Sequence, residues 1–180
     1  MRKIQKMCAA LLAGVMTVGT FAPSVFADEA PAELTDEQVI NVRTTAFGNN
    51  YDVQDMGWRW MMAACYEGLY RDVADENGDE FILAGAESVD ISDDGTVYTY
   101  HLREDAKWSD GVPVTAHDYE YGWKRLLNPD YAYDYASFIY NVVGAEEYNS
   151  GEGSADDVMA VAVDDYTFEV TLKVADPTFE

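Results

Sequence analysis

Three turn signals constrain this chain more than any other feature. Asn77-Gly78 sits inside the acidic run Asp72 to Glu80, Ser92-Asp93-Asp94-Gly95 separates Ala86–Ile91 from Thr96–Arg103, and Asp164-Asp165 separates Val158–Val163 from Tyr166–Val174. Asn-Gly and Asp-Gly tolerate the backbone of a tight hairpin. The flanking runs alternate residues suited to a pleated, half-buried surface. The first two, this close together, predict one small antiparallel sheet, and the third is a further hairpin. In the second, Tyr98, Tyr100 and Leu102 share one face, while Val97, Thr99, His101 and Arg103 share the other. The aromatic face predicts the core side.

Between the second and third hairpins the pattern changes period. Trp108-Ser109-Asp110-Gly111 predicts a turn, and Thr115 with Asp118 three residues later resembles a capping box. Tyr119, Trp123, Leu126 and Leu127 then recur at helical spacing until Asn128-Pro129 stops the helix. Trp108 and Trp123 are expected in the core. A tyrosine-rich tract, Tyr131 to Tyr140, begins just after that stop; such rings either line a cleft or cover the core. Upstream, Val39 to Thr44 predicts a strand, and Met56 to Tyr70 carries an apolar stripe predicting a helix that ends near Gly68.

The first 27 residues read as an export signal. Arg2, Lys3 and Lys6 precede the uncharged stretch Met7–Ala22, and Val25-Phe26-Ala27 offers small residues ahead of a cleavage point before Asp28. Cys8 lies at the start of the apolar run, so it cannot be the first mature residue of a lipoprotein. Residues 28–38, polar and proline-containing, suit a flexible lead-in. Removing residues 1–27 leaves 8 Lys and Arg against 34 Asp and Glu, a net charge of −26. That surface repels nucleic-acid phosphates and anionic lipid. With 13 Tyr, 7 Phe and 4 Trp the chain is too aromatic for a disordered acidic tail.

Motifs for chemistry are absent. Asp90 to Gly95 fits the opening of a calcium loop, but its twelfth position is His101 where a bidentate Glu is required. His101 and His117 stand too far apart in sequence to suggest zinc, and each is expected to be a hydrogen-bonded structural residue. There is no G-x-S-x-G elbow. Cys65, with apolar neighbours Met61 to Ala64, is expected to be buried packing. No metal, cofactor or catalytic residue is expected.

A resemblance covers roughly residues 39–179. Tyr66-Glu67-Gly68-Leu69-Tyr70, Ser92 to Arg103, Ala106-Lys107-Trp108-Ser109-Asp110-Gly111 and Pro113 to Asp118 resemble the N-terminal lobe of the oligopeptide-binding proteins. These are the family 5 extracytoplasmic solute-binding subunits of ABC importers. Tyr135-Ala136-Ser137 and Asp164 to Leu172 extend the likeness. It implies an α/β fold of the type II periplasmic-binding-protein class, two lobes about a hinge, of which only the N-terminal part of lobe I is present. It also implies an oligopeptide ligand, a membrane permease as partner, a monomer without enzymatic activity, and a periplasmic or extracellular location. Nickel, haem or oligosaccharide binding by the same class, or a secreted hydrolase, are the alternatives.

The family's contact segments map less closely. Where the loop after the first strand commonly reads Leu-Asp-Pro, this chain reads Asn49-Asn50-Tyr51, followed by Asp52 to Met56. The resemblance places ligand contacts at Gln54, Met56 and Tyr135. It also implies that the chain is an N-terminal fragment of a longer reading frame.

Overall fold

The computed structural model describes residues 52–55, 65–75 and 78–179, all within the compact unit Thr44–Glu180. The expected strand 39–44, most of the helix from Met56, and residues 1–38 lie outside the described residues. Two strands, β1 (Tyr70–Asp75) and β2 (Gly78–Leu83), pair antiparallel with Asp75 opposite Gly78. The strands extend well into the acidic run read as a turn. Four more strands, β3 (Ala86–Ile91), β4 (Val97–Leu102), β5 (Ala160–Ala162) and β6 (Thr167–Thr171), form one antiparallel sheet in the order β3-β4-β6-β5. The second and third hairpins fall where the sequence places them, but the first and second do not share a sheet as expected: β1 and β2 form a two-stranded sheet of their own, and it is the third hairpin that joins the second, through β4 and β6.

The turn between β3 and β4 is closed by its own side chains. Gly95 adopts φ 69°, a conformation costly for a residue with a Cβ. Its amide donates to Ser92 O at 2.8 Å, and Val97 N donates to Ser92 Oγ at 2.9 Å. Asp94 Oδ1 accepts from the hydroxyls of Ser92 and Thr96 at 2.6 and 2.8 Å. The polar loop thus holds the register that sends Tyr98, Tyr100 and Leu102 to one face, where all three are buried.

β4 is central, and β6 joins it with Tyr100 opposite Phe168 and Tyr98 opposite Val170. The 64 residues between Leu102 and Thr167 leave the sheet and return to it. Helix α1 (Ala116–Leu126) opens this excursion. At its start Thr115 N donates to Asp118 Oδ2 at 2.8 Å, so the shorter Asp closes that arm of the capping box. Tyr119 and Trp123, one turn apart, set their rings 5.9 and 5.6 Å from that of Phe168. Glu120 Oε2 accepts from Ala162 N at 3.0 Å, tying the helix to β5. Past the helix, Asn149 Nδ2 donates to Leu127 O at 2.8 Å from the short helix α2 (Ala145–Asn149). The core between sheet and helix comprises Tyr98, Tyr100, Leu102, Leu127, Val142, Val158, Phe168, Val170 and small alanines.

Two expectations about burial are corrected. Trp123 packs on the core, but Trp108 is 41% exposed. It sits in a turn held by Trp108 N to Val112 O at 2.8 Å and by one bridge between Lys107 and Pro113. Cys65 is exposed as well. It is the last helical residue before the irregular Tyr66–Gly68, so the helix stops three residues short of Gly68 and the thiol lies at its end. His101 fits its structural reading, with Nε2 3.0 Å from Asp90 Oδ2 across the hairpin; His117 lies within ion-pair range of Asp165, at 3.6 Å.

Phe168 is fully buried among Tyr100, Tyr119 and Trp123, so Phe168→Ala leaves a cavity in the centre of the core. Urea unfolding should show a loss of about 3–5 kcal/mol for Phe168→Ala and of less than about 1 kcal/mol for Trp108→Ala. A larger loss for Trp108→Ala than for Phe168→Ala would contradict this packing.

Candidate functional site

The last turn of α1 carries Arg125, a favourable place for a cation beside the helix C-terminus. Its guanidinium faces a carboxylate 73 residues away in the chain. Nη1 and Nη2 donate to Asp52 Oδ1 and Oδ2 at 2.9 and 2.5 Å, the two-pronged arrangement that a planar fork makes with a carboxylate. Nη1 also donates to Gln54 Oε1 at 2.6 Å. Tyr133 OH donates to Asp52 Oδ2 at 2.7 Å, and Gln54 N donates to Asp52 Oδ1 at 3.1 Å. Each oxygen of Asp52 thus accepts from two of these donors, as an ionised carboxylate can. Gln54 Nε2 completes the cluster by donating to Gly122 O in α1 at 2.5 Å.

Aromatic rings border the ion pair. Arg125 Cζ lies 4.9 and 5.2 Å from the ring centroids of Tyr131 and Tyr133, within cation–π range. The Arg125 and Asp52 side chains are only 22% and 27% exposed. That limits the solvent screening that weakens ordinary surface pairs. The hydrogen bonds from Arg125 hold the Asp52 carboxyl far below the usual carboxylate range, and the bond to Asp52 raises Arg125 in turn. Burial, reinforced by the bond to Asp52, pushes the Tyr133 phenol up to about 12.

The expected contact residues fall as follows. Gln54 lies in this cluster with its side chain engaged by Arg125 and Gly122. Tyr135 emerges two residues beyond Tyr133, half-buried, with its ring edge-on to Phe138 at 5.0 Å. Met56 lies outside the described residues. The tyrosine tract divides between the two roles open to it. Ala136 is buried and Ile139 and Tyr140 pack on the core, whereas Tyr131 and Phe138 are exposed. Tyr133 belongs to the tyrosine tract marked in the sequence, whereas Asp52 and Arg125 went unmarked, because no local pattern reports a pair 73 residues apart. The only local hint was the basic residue in the last helical turn.

A separate open groove of about 610 Å3 is lined by Glu87, His101, Leu102, Glu104, Asp164, Asp165, Tyr166 and Thr167. Among the described residues no group of His, Cys, Asp and Glu is placed to hold a metal ion.

Residues 80–180 match the family model of bacterial extracellular solute-binding proteins, family 5. The chain belongs to that family. Among family 5 proteins, the dipeptide-binding protein DppE of Bacillus subtilis is 38% identical over 152 residues, which are 82% of this chain and 27% of DppE. Listeria monocytogenes OppA, solved bound to peptide, is 39% identical with a TM-score of 0.63 over 70% of this chain and 25% of that one. Haemophilus influenzae OppA, in complex with RPPGFSPFR, is 35% identical with a TM-score of 0.58, covering 65% and 23%. The α/β architecture is that of the OppA-type solute-binding fold, and this chain spans about a quarter of these relatives' length. Family 5 members are solute-binding proteins rather than enzymes.

The Asp52 carboxyl stabilises the fold in a defined pH window. Its lowered value means that the stabilisation is present above the unfolded carboxylate pKa of about 4 and is lost as pH falls below it toward the folded value. Urea midpoints measured from pH 7 down to pH 2 should therefore fall less steeply for Asp52→Asn than for the parent. Parallel acid limbs would show that Asp52 titrates normally.

Proposed function

We propose that this chain forms part of one lobe of the substrate-binding subunit of an ABC importer, which captures oligopeptides outside the cytoplasm and delivers them to a membrane permease. The observation that carries the reading is the shared fold and sequence with an OppA structure that holds a peptide. Residues 1–27 direct export and are removed ahead of Asp28, residues 28–38 are a lead-in, and 39–180 belong to the solute-binding domain. The protein works as a monomer in the periplasm or at the cell exterior.

In this mechanism the ligand sits between two lobes that close about a hinge, and the permease receives the closed form. Main-chain hydrogen bonds hold the peptide as an added strand is held, giving affinity with little demand on side-chain sequence. Water in side-chain pockets widens the tolerance. No covalent step is needed. Gln54, Met56 and Tyr135 are the contacts from this lobe. Since the Gln54 amide group is engaged by Gly122 and Arg125, Gln54 contributes through the main chain of its loop. Tyr135 offers a ring and a hydroxyl.

Calorimetric titration of the full-length protein with defined di- to pentapeptides tests the reading. Binding is expected, with Tyr135→Ala weakening it about tenfold, equal to about 1.4 kcal/mol. The unfolding midpoint of the ligand-free form should move by less than about 2 °C. Unchanged affinity with a large drop in that midpoint would make Tyr135 a core residue. Uptake of haem, nickel or an oligosaccharide with no peptide binding would replace the ligand class.

A further inference from the structure

Arg125 joins three segments that are distant in sequence. One is the loop 52–55, reached through Asp52 and Gln54; the second is the end of α1, which carries Arg125 itself and the Gly122 carbonyl that Gln54 meets. The third is the tyrosine tract, reached through the Tyr133 hydroxyl on Asp52 and through the faces of Tyr131 and Tyr133. From Tyr133 the chain turns at once, with Ala136 N donating to Tyr133 O at 3.2 Å and Phe138 N to Tyr135 O at 3.1 Å. Tyr135 lies inside that turn. Both described segments assigned to the ligand, one through Gln54 and the other through Tyr135, therefore start from groups bonded to this cluster.

We propose that Arg125, acting with Asp52 and Tyr133, is a positioning residue for ligand binding: it holds the loop 52–55 and the Tyr135 turn in fixed relation before a peptide arrives. The role rests on the peptide-binding reading above. Arg125 reaches the ligand only through its neighbours. What it supplies is preorganisation, which lowers the ordering cost of binding. The requirement is for the guanidinium shape rather than for charge alone. Lysine has a single point donor that cannot span both carboxylate oxygens in plane while also serving Gln54, and it does not lie flat on two tyrosine rings. Removing the Tyr133 hydroxyl takes away one of the bonds on Asp52 and leaves the ring.

The test uses the full-length protein, its Arg125→Lys and Tyr133→Phe variants, and two readouts. The first needs no ligand. Hydrogen exchange at amides 52–55 should quicken about tenfold or more in Arg125→Lys, since the loop opens more readily. The second is calorimetric titration with a tetrapeptide that binds the parent. Arg125→Lys should weaken binding about tenfold and Tyr133→Phe by a smaller factor, mostly through faster dissociation. In a Tyr135→Ala background the loss from Arg125→Lys should be clearly smaller than tenfold, because the part that acts through Tyr135 is gone and only the part through loop 52–55 remains. Unchanged exchange in Arg125→Lys overturns the clamp. Faster exchange with unchanged affinity, or losses that add fully with Tyr135→Ala, overturns its role in ligand positioning. A parent that binds no peptide while its amides 52–55 are protected by Arg125 overturns the peptide-binding reading, and the positioning role with it, while the clamp itself stands.

Discussion

The pairing of β4 with β6 is the constraint on which the other packing rests. It brings Tyr98 and Tyr100 beside Val170 and Phe168 across an excursion of 64 residues, so closing it carries a loop entropy that only the buried face can offset. That face is unusually aromatic. Tyr100, Tyr119 and Trp123 all meet Phe168, and Phe179 adds its ring to Tyr98 and Trp123. Once the strands are paired, α1 has one apolar surface to cover. Its orientation follows from which turn of the helix carries Tyr119 and Trp123.

The orientation of α1 has a consequence at its far end. With Tyr119 and Trp123 against the sheet, the last turn presents Arg125 on a different flank, where loop 52–55 and the tyrosine tract meet it. A cluster of this kind is sensitive to its scaffold, since a two-pronged ion pair tolerates little displacement of either partner. The core therefore reaches the candidate site through helix placement rather than by direct contact.

How much of this was legible in the sequence depends on distance along the chain. The Ser92–Gly95 and Asp164-Asp165 hairpins, the Thr115 cap and the stop at Asn128-Pro129 are all local, and each stands where the pattern puts it. Trp108, expected in the core, stands in the turn after β4 and is exposed, because a turn residue need not face the sheet. Cys65 was assigned from apolar neighbours, though its position at a helix end exposes it. The Asp52–Arg125 pair had no signature, being an aspartate in a loop and a basic residue at a helix terminus. Family likeness pointed to Gln54 and Tyr135, but the cluster between them emerged only from three-dimensional proximity.

Under the proposed reading, loop 52–55 and the Tyr135 turn face the ligand while the β4–β6 core is scaffold. Amide chemical-shift mapping of the full-length protein during titration with a binding tetrapeptide examines that claim directly. Large shifts are expected at Gln54 and at Tyr135–Ala136, with Tyr100 and Phe168 nearly still. Shifts confined to the groove around His101 and Asp165, with Gln54 and Tyr135 unmoved, would contradict it.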